Sequence, residues 1–184
     1  ILDPNNSNTM LVGGGRLWRS TNVKATTPTW ASIKASIGDN ISAIAVRPGN
    51  SSEIWVGHNG GSVYKTTNGG SSWTAVGGLP GRYVTRIAFD PSSPGIVYVA
   101  NGGFSPDNLR RSTNGGASWT DVTGSGTTGL PNAPIRGFVV HPQNGQRLYA
   151  GTEVGLFTSA DGGATWSTND FGPANVSVDE VNFM

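Results

Sequence analysis

Short apolar runs separated by turn residues recur along the whole chain, in the pattern expected of β-strands. Each unit has an opening apolar strand, a proline turn, a second strand that ends in a small residue, and a third strand. The opening strands, which we predict to be innermost, are Ile41 to Val46, Val84 to Phe89, Ile135 to Val140 and Val178 to Phe183. The proline turns are Asp3-Pro4, Arg47-Pro48, Asp90-Pro91 and His141-Pro142. No segment is predicted to be helical, so the pattern indicates an all-β chain.

The third strand of every unit runs into a glycine-rich octet that ends in tryptophan, followed by a short fourth strand. In each octet an Asp or Asn side chain bonds back to nearby N–H groups, the glycines supply positive φ, and the Trp anchors the turn on apolar surface. The Trp residues are 43, 46 and 47 residues apart, a period typical of four-stranded propeller blades. The octet residues are Ser20, Asn22 and Trp30 in a copy stretched by three residues; Thr66, Asn68, Gly70 and Trp73; Ser112, Asn114, Gly116 and Trp119; and Ser159, Asp161, Gly163, Thr165 and Trp166.

The last octet, Ser159 to Trp166, resembles the Asp-box, or bacterial neuraminidase repeat, whose pattern is Ser-x-Asp-x-Gly-x-Thr-Trp. Asp161 matches that pattern fully, whereas Asn22, Asn68 and Asn114 keep the turn geometry but remove the charge. The resemblance covers nearly the whole chain and implies a β-propeller of the kind found in sialidases, xyloglucanases and sortilin-like proteins. It also implies that the octets are structural fasteners and not catalytic elements.

The expected architecture is therefore an all-β propeller with four blades of four antiparallel strands. The repeats run approximately over 1–40, 41–83, 84–134 and 135–177, with 178–184 as the innermost strand of the closing blade. A blade cannot bury both of its apolar faces alone. Four blades must form a small ring, join a second chain, or belong to a longer ring. Propellers with Asp-boxes have more blades, which favours an arc of a longer ring, while self-association and a four-blade ring stay open.

Composition excludes several classes of function. The chain of 184 residues has 12 Lys+Arg against 11 Asp+Glu, so it lacks the basic surface that binds nucleic acid or anionic membranes. No apolar run approaches the roughly 20 residues of a membrane span. With no cysteine there is no disulfide framework and no thiolate nucleophile, and the two histidines do not make a metal site. No cofactor is expected.

We predict that any site lies on the loop face, formed by the loops after the second strands and those before the innermost strands. Four charged residues depart from the repeat, at positions where other units carry residues such as Ala43. They are Arg86, Arg136, Asp179 and Glu180. A packing position should be filled alike in every blade, whereas a site needs unlike residues. The polar candidates on this face are His58, Asn59, Arg82, Arg86, Asp107, Arg136, Glu153, Asp170, Asp179 and Glu180.

A glycoside hydrolase is one functional hypothesis, because Asp-box propellers of the sialidase and xyloglucanase types have this activity. Such chemistry usually needs two carboxyl groups about 5 to 9.5 Å apart. The weak catalytic candidates are Asp179, Glu180, Glu153 and Asp107, and no local motif marks a pair among them. Arg86 and Arg136 would serve substrate binding in this hypothesis, or would form surface ion pairs with Asp179 or Glu180.

A binding propeller is the second hypothesis and the one that the sequence favours, since no acid pair is marked. Sugar sites carry exposed aromatic platforms, and Tyr83, Phe104 and Phe171 are the aromatic residues outside the repeat pattern. We therefore expect a binding or scaffold module for a glycan or a protein, with Arg86, Arg136, Phe104, Tyr83 and His58 as candidate ligand residues. The family resemblance implies an extracellular or periplasmic protein of bacterial type; a photosystem II assembly factor also stays open.

Overall fold

The computed structural model describes residues 1–167 and 175–183 of the chain and contains fifteen β-strands in those residues. A 3₁₀ turn at Gly126–Thr128 is the one helical element there. The strands are β1 (Leu2–Asp3), β2 (Asn6–Gly13), β3 (Leu17–Ser20), β4 (Ala31–Lys34), β5 (Ile41–Arg47), β6 (Asn50–His58), β7 (Val63–Thr66), β8 (Thr74–Val76), β9 (Val84–Phe89), β10 (Val97–Asn101), β11 (Leu109–Ser112), β12 (Thr120–Asp121), β13 (Ile135–His141), β14 (Asn144–Thr152) and β15 (Gly155–Ser159).

These strands form four antiparallel sheets, each built from strands consecutive in sequence. Blade 1 comprises β1–β4, blade 2 β5–β8, blade 3 β9–β12 and blade 4 β13–β15. In blade 4 a single bridge between Thr158 and Ser167 stands where the fourth strand begins. The first strands β5, β9 and β13 lie beside one another at the centre. The predicted all-β propeller architecture is confirmed.

The hydrophobic core lies between the blades, where the facing sides of neighbouring sheets pack against each other. One cluster joins blades 1 and 2 around Leu11 and Val56. A second joins blades 2 and 3 around Trp55 and Val99, and a third joins blades 3 and 4 around Tyr98. At roughly 25 cal/mol per Å² of buried apolar area, these interfaces dominate the stability of the fold.

The octet turns close through side-chain oxygens. In the last one, the Ser159 hydroxyl donates to Oδ1 of Asp161 at 2.8 Å and accepts the N–H of Gly163 at 2.9 Å. Oδ1 of Asp161 also accepts the N–H of Thr165 at 2.9 Å. Asn68 and Asn114 occupy the same place and accept equivalent bonds through their Oδ1 atoms. The amide thus replaces the carboxylate without a change of turn geometry.

The stretched octet of blade 1 keeps the same acceptor geometry. Asn22 Oδ1 accepts the hydroxyl of Ser20 at 3.1 Å and the N–H of Thr29 at 2.9 Å. Thr29 therefore takes the place of Thr165, in spite of the three extra residues.

Each of the later octets also binds the preceding blade. The indole N–H groups of Trp73, Trp119 and Trp166 donate to the carbonyls of Ile33, Gly77 and Val122, at 2.8, 3.0 and 2.9 Å. Arg19 and Lys65 donate in the opposite direction, to the octet carbonyls of Gly69 and Gly115 in the following blade. The octets are thus cross-blade contacts as well as turns.

The predicted strand over Val178 to Phe183 is not a β-strand in the structure. The segment runs along blade 4, where the N–H of Val178 donates to the Thr152 carbonyl at 2.9 Å and Phe183 contacts the Tyr149 ring edge to face. Trp55 and Phe89 make the same contact between blades 2 and 3. Residues 178–183 therefore occupy the place of an innermost strand. They form no ladder, because no second strand lies beside them among the described residues.

Candidate functional site

The innermost strands β5, β9 and β13 each carry a β-bulge near their first residue, at the edge of the loop face. In the pairing of β5 with β6, Ser42 has no partner between Ile41 and Ala43. In the pairing of β13 with β14, Arg136 is left out in the same way. In β9 the skipped residue is Thr85. A bulge leaves one residue out of the ladder and re-aims its side chain. Three blades therefore each leave one side chain out of the ladder near this face.

The bulge positions carry different polar groups in different blades. The hydroxyl oxygens of Ser42 and Thr85 are buried and have no hydrogen-bond partner among the described residues. Arg136 is exposed and pairs with two carboxylates. Unsatisfied buried hydroxyls are uncommon in native proteins, so Ser42 and Thr85 are unusual positions in the innermost strands.

Arg86 and Arg136, on the neighbouring innermost strands β9 and β13, form ion pairs with carboxylates. Arg136 pairs with Glu153 through Nη2, and its Nε lies 3.4 Å from Oδ1 of Asp179. Arg86 Nη2 lies 3.5 Å from Oε1 of Glu180. The hydrogen bond to Glu153 and the nearby acids raise the pKa of Arg136. The expected ion pairs of both arginines are present, and their role in ligand binding stays a prediction.

Asp107 lies in a separate cluster with two arginines. Its Oδ1 accepts Arg82 at 2.7 Å, and its Oδ2 accepts Arg110 at 2.9 Å. Partial desolvation opposes ionisation, but the hydrogen bonds from Arg110 and Arg82 outweigh it and lower the pKa of the Asp107 carboxyl. A general acid must hold its proton near neutral pH, which requires a raised pKa. Asp107 is therefore suited to holding the two arginines, not to donating a proton.

Two aromatic side chains stand on neighbouring loops of this face. Phe104 is 73% exposed and Tyr83 is 48% exposed. The N–H of Gly102 donates to the Tyr83 carbonyl at 2.9 Å, and a side chain at Gly102 would meet the Tyr83 ring at 3.2 Å. These contacts join the two loops, so both aromatic rings sit on one connected surface.

Asn101 and Asn108 brace the loop that carries Phe104, and neither was a candidate from the sequence. Both are buried. Asn101 Nδ2 donates to the Arg82 carbonyl at 3.0 Å, and Asn108 Nδ2 donates to the carbonyls of Gly103 and Ala133. The sequence shows an Asn at each end of the loop, but the burial that makes these amides need partners is visible only in the structure.

His58, a candidate ligand residue from the sequence, is buried and is not available on the loop face. It is the last residue of β6, only 1% exposed, and its ring contacts Tyr64 edge to face. Its Nδ1 lies 3.0 Å from the Ser62 carbonyl. His58 is buried because β6 extends further than its apolar residues indicate. Desolvation is the main cause that lowers the pKa of His58, so the ring is neutral and buried.

The innermost strands also enclose a central cavity of about 350 Å³. Arg86 and Ser42 line it beside apolar residues such as Ile44 and Phe138. Within residues 1–167 and 175–183, no group of three or more His, Asp or Glu side chains is arranged to hold a metal ion. Asp170 and Phe171, also candidates from the sequence, lie outside the described residues.

No family model and no curated sequence matches this chain. Solved structures do resemble it. A GH74 enzyme from Niastella koreensis matches with a TM-score of 0.69 and 28% identity, covering 90% of this chain and 28% of its own. An ancestral GH74 enzyme matches with a TM-score of 0.64 and 26% identity, covering 86% of this chain and 23% of its own.

The GH74 xyloglucanase from Xanthomonas campestris has the same fold, with a TM-score of 0.68, 22% identity, and coverage of 90% of this chain and 29% of its own. This chain therefore spans about a quarter of the length of the enzymes that it resembles. It is a β-propeller chain similar to part of a glycoside hydrolase. Among its described residues, no helix is long and apolar enough to cross a membrane.

Proposed function

We propose that this chain binds a carbohydrate on its loop face, as part of a propeller of the glycoside hydrolase type. The observation that carries the proposal is the pair of exposed aromatic side chains, Phe104 and Tyr83, on two joined loops. Aromatic faces stack on the apolar faces of sugar rings. The arginines and carboxylates beside them, Arg86, Arg136 and Glu153, offer hydrogen-bond donors and acceptors to sugar hydroxyls.

Carbohydrate recognition fits the local electrostatics better than catalysis by these acids alone. Glu153 and Asp107 are held by arginines at hydrogen-bond distance, and the pKa of Asp107 is lowered. The favoured ionisation of Asp107 suits a base or a hydrogen-bond acceptor but opposes the acid role that glycoside hydrolysis requires. The similarity to two GH74 enzymes at 26% and 28% identity supports a polysaccharide as the ligand.

The alternative is that the loop face contributes to hydrolysis once further blades complete the site. Asp179 and Glu180 favour this version, because their side chains are 74% and 64% exposed beside Arg136 and Arg86. Alanine substitution at both would test it: turnover of a glucan that the parent cleaves should fall by about three orders of magnitude for a group acting as acid or base. Unchanged turnover removes both residues from the mechanism.

We further propose that the octets are Asp-boxes, and that the protein works outside the cytoplasm, in the extracellular space or the periplasm, where polysaccharides occur. The Ser159–Asp161–Thr165 hydrogen bonds support the first statement. The similarity to GH74 enzymes supports the second.

Affinity electrophoresis through xyloglucan and through cellulose-derived glucan tests the binding function. The parent chain should be retarded, and Phe104→Ala and Tyr83→Ala should each weaken binding on the order of tenfold. Trp18→Ala is the matched control, because Trp18 is 40% exposed but lies on the side of blade 1. Retardation that survives loss of both aromatic residues contradicts the aromatic-platform site. Absence of retardation in every glycan favours a protein ligand.

A further inference from the structure

Tyr83 and Phe104 lie on two neighbouring loops that flank strands β9 and β10 of blade 3. The first loop, residues 77–83, leads into β9, and the second, residues 102–108, follows β10. The N–H of Gly102 donates to the Tyr83 carbonyl at 2.9 Å. Because each residue of chain spans at most about 3.6 Å, the Cα of Phe104 lies within roughly 12 Å of that carbonyl. An oligosaccharide of several sugar rings can therefore contact both aromatic side chains.

A single arginine on the first loop binds the far end of the second loop. Nη2 of Arg82 donates to Oδ1 of Asp107 at 2.7 Å and to Oδ1 of Asn108 at 2.9 Å. The same side chain packs along the second loop, since a Cβ added at Gly103 would lie 3.7 Å from the Arg82 Cδ. Arg82 and Gly103 each directly precede one of the two aromatic residues. The arginine therefore joins the positions from which both rings project.

Asp107 connects this arginine to the sheet of blade 3. Its Oδ2 accepts Nη2 of Arg110, a residue of β11, at 2.9 Å. Both carboxylate oxygens of Asp107 are thus used within the blade, and charge-assisted hydrogen bonds of this length are stronger than neutral ones. The side chains of Arg82 and Asp107 are 29% and 27% exposed, so solvent screens their pair less than a fully exposed one. The pair links the first loop, the second loop and the sheet.

We propose that Arg82 and Asp107 are positioning residues that hold Tyr83 and Phe104 in a fixed relative position, so that both rings bind one extended oligosaccharide. This inference rests on the proposed carbohydrate function and names the residues that make the two rings act together. Two binding groups held at a suitable separation present the second contact at a high effective concentration. A loop that is ordered before the ligand arrives also saves the entropy of ordering it on binding.

Oligosaccharides of graded length, prepared from xyloglucan, test the proposal by NMR titration. Asp107→Asn and Arg82→Gln each remove the ion pair with little change of side-chain size. Both should weaken the binding of a long oligosaccharide on the order of tenfold. Short oligosaccharides that reach one ring should bind as they do to the parent, because a single contact does not depend on the separation. Equal losses for short and long ligands would contradict the positioning role.

Arg47→Gln is the matched control. The ion pair of Arg47 with Glu53 has the same length of 2.7 Å, but Arg47 is the last residue of β5, at the end of the strand away from the loop face. Its loss should leave the binding of every oligosaccharide unchanged.

A double-mutant cycle separates positioning from direct contact with the ligand. If Asp107 acts through the Phe104 ring, Asp107→Asn should have little further effect on the binding of the long oligosaccharide in a Phe104→Ala background. The two losses are then not additive. Additive losses would show that Asp107 contributes independently of Phe104, which overturns the assignment.

Hydrogen exchange in the ligand-free protein tests the loops without any glycan. The Gly102 N–H should exchange faster in Asp107→Asn and in Arg82→Gln, whereas the Val99 N–H of β10 should keep the rate of the parent, which excludes a general loss of stability. Unchanged exchange at Gly102 overturns the proposal. Faster exchange at Gly102, with no oligosaccharide bound by the parent, supports the coupling of the loops and refutes the carbohydrate function.

Discussion

The indole N–H of Trp166 donates a hydrogen bond of 2.9 Å to the backbone carbonyl of Val122, 44 residues earlier in the chain and in the neighbouring blade. The same bond recurs from Trp73 and from Trp119. One side chain per repeat thus ends a local turn and also joins two sheets. This double role explains how a chain with few charges and no cysteine holds its blades together.

Replacing Trp166 by Phe should destabilise the fold by about 1–3 kcal/mol, because the buried Val122 carbonyl loses its donor. Urea denaturation gives the free energy of unfolding. Trp30→Phe is the matched control and should stay within about 0.5 kcal/mol of the parent at low protein concentration, since its indole is exposed. Equal losses in the two variants would show that the cross-blade bond contributes nothing.

Acid should weaken the Asp161 turn. Hydrogen bonds from the Thr165 side chain, the Thr165 N–H and the Ser159 hydroxyl lower the pKa of Asp161 to about 2 from an ordinary value of 3.8. The folded pKa lies below the unfolded one, so this contribution is present above pH 3.8 and is lost as pH falls towards 2. Thermal unfolding of Asp161→Asn and of the parent from pH 7 to pH 2 measures it. The variant should lose less stability on acidification, and parallel curves would refute the assignment.

Gly116→Ala should be strongly destabilising. The residue has φ of 85°, and an added Cβ would lie 2.6 Å from the Trp55 ring in the preceding blade. Positive φ and overpacking together should cost about 2–5 kcal/mol. Gly95→Ala is the control, because nothing lies within 4 Å of that position. Similar denaturation midpoints for both variants would contradict the close contact between the octet and Trp55.

His58 should titrate below the ordinary histidine pKa of 6.5, because desolvation penalises its charged form. The folded pKa lies below the unfolded one, so stability falls as pH drops below 6.5 and the unfolded chain takes up the proton first. The chain has two histidines, so the ring resonances separate readily by NMR, and His58→Gln assigns them. A His58 midpoint at or above 6.5 would contradict its burial.

The octets show what local sequence can predict. Their hydrogen bonds join residues two to four positions apart, such as Ser159 and Asp161 or Asp161 and Thr165. These contacts depend on residue type and spacing, which are visible in the sequence. The partner of each Trp is not visible, because it lies in another repeat at a distance that only the packed sheets define.

The loop face was predicted more coarsely. The departures at Arg86, Arg136, Asp179 and Glu180 were visible in the aligned repeats, and the structure pairs these residues with one another. The bulges at Ser42, Thr85 and Arg136 were not visible, since each lies beside the first residue of its strand, where too few residues precede it to show a break in the alternation. His58 was assigned to the loop and not to β6, because the sequence there does not distinguish the last residue of a strand from the first residue of a loop.

The sequence by itself determined the repeat period, the positions of most strands and the chemistry of the turns, because each depends on backbone preferences and hydrogen bonds within a few residues. Only the tertiary structure decided which face of each sheet is covered. Trp166 and Trp30 occupy the same place in their repeats, yet one is buried and the other exposed. Their difference arises from whether a neighbouring blade lies against them, and burial against a neighbour is a property of the packed assembly.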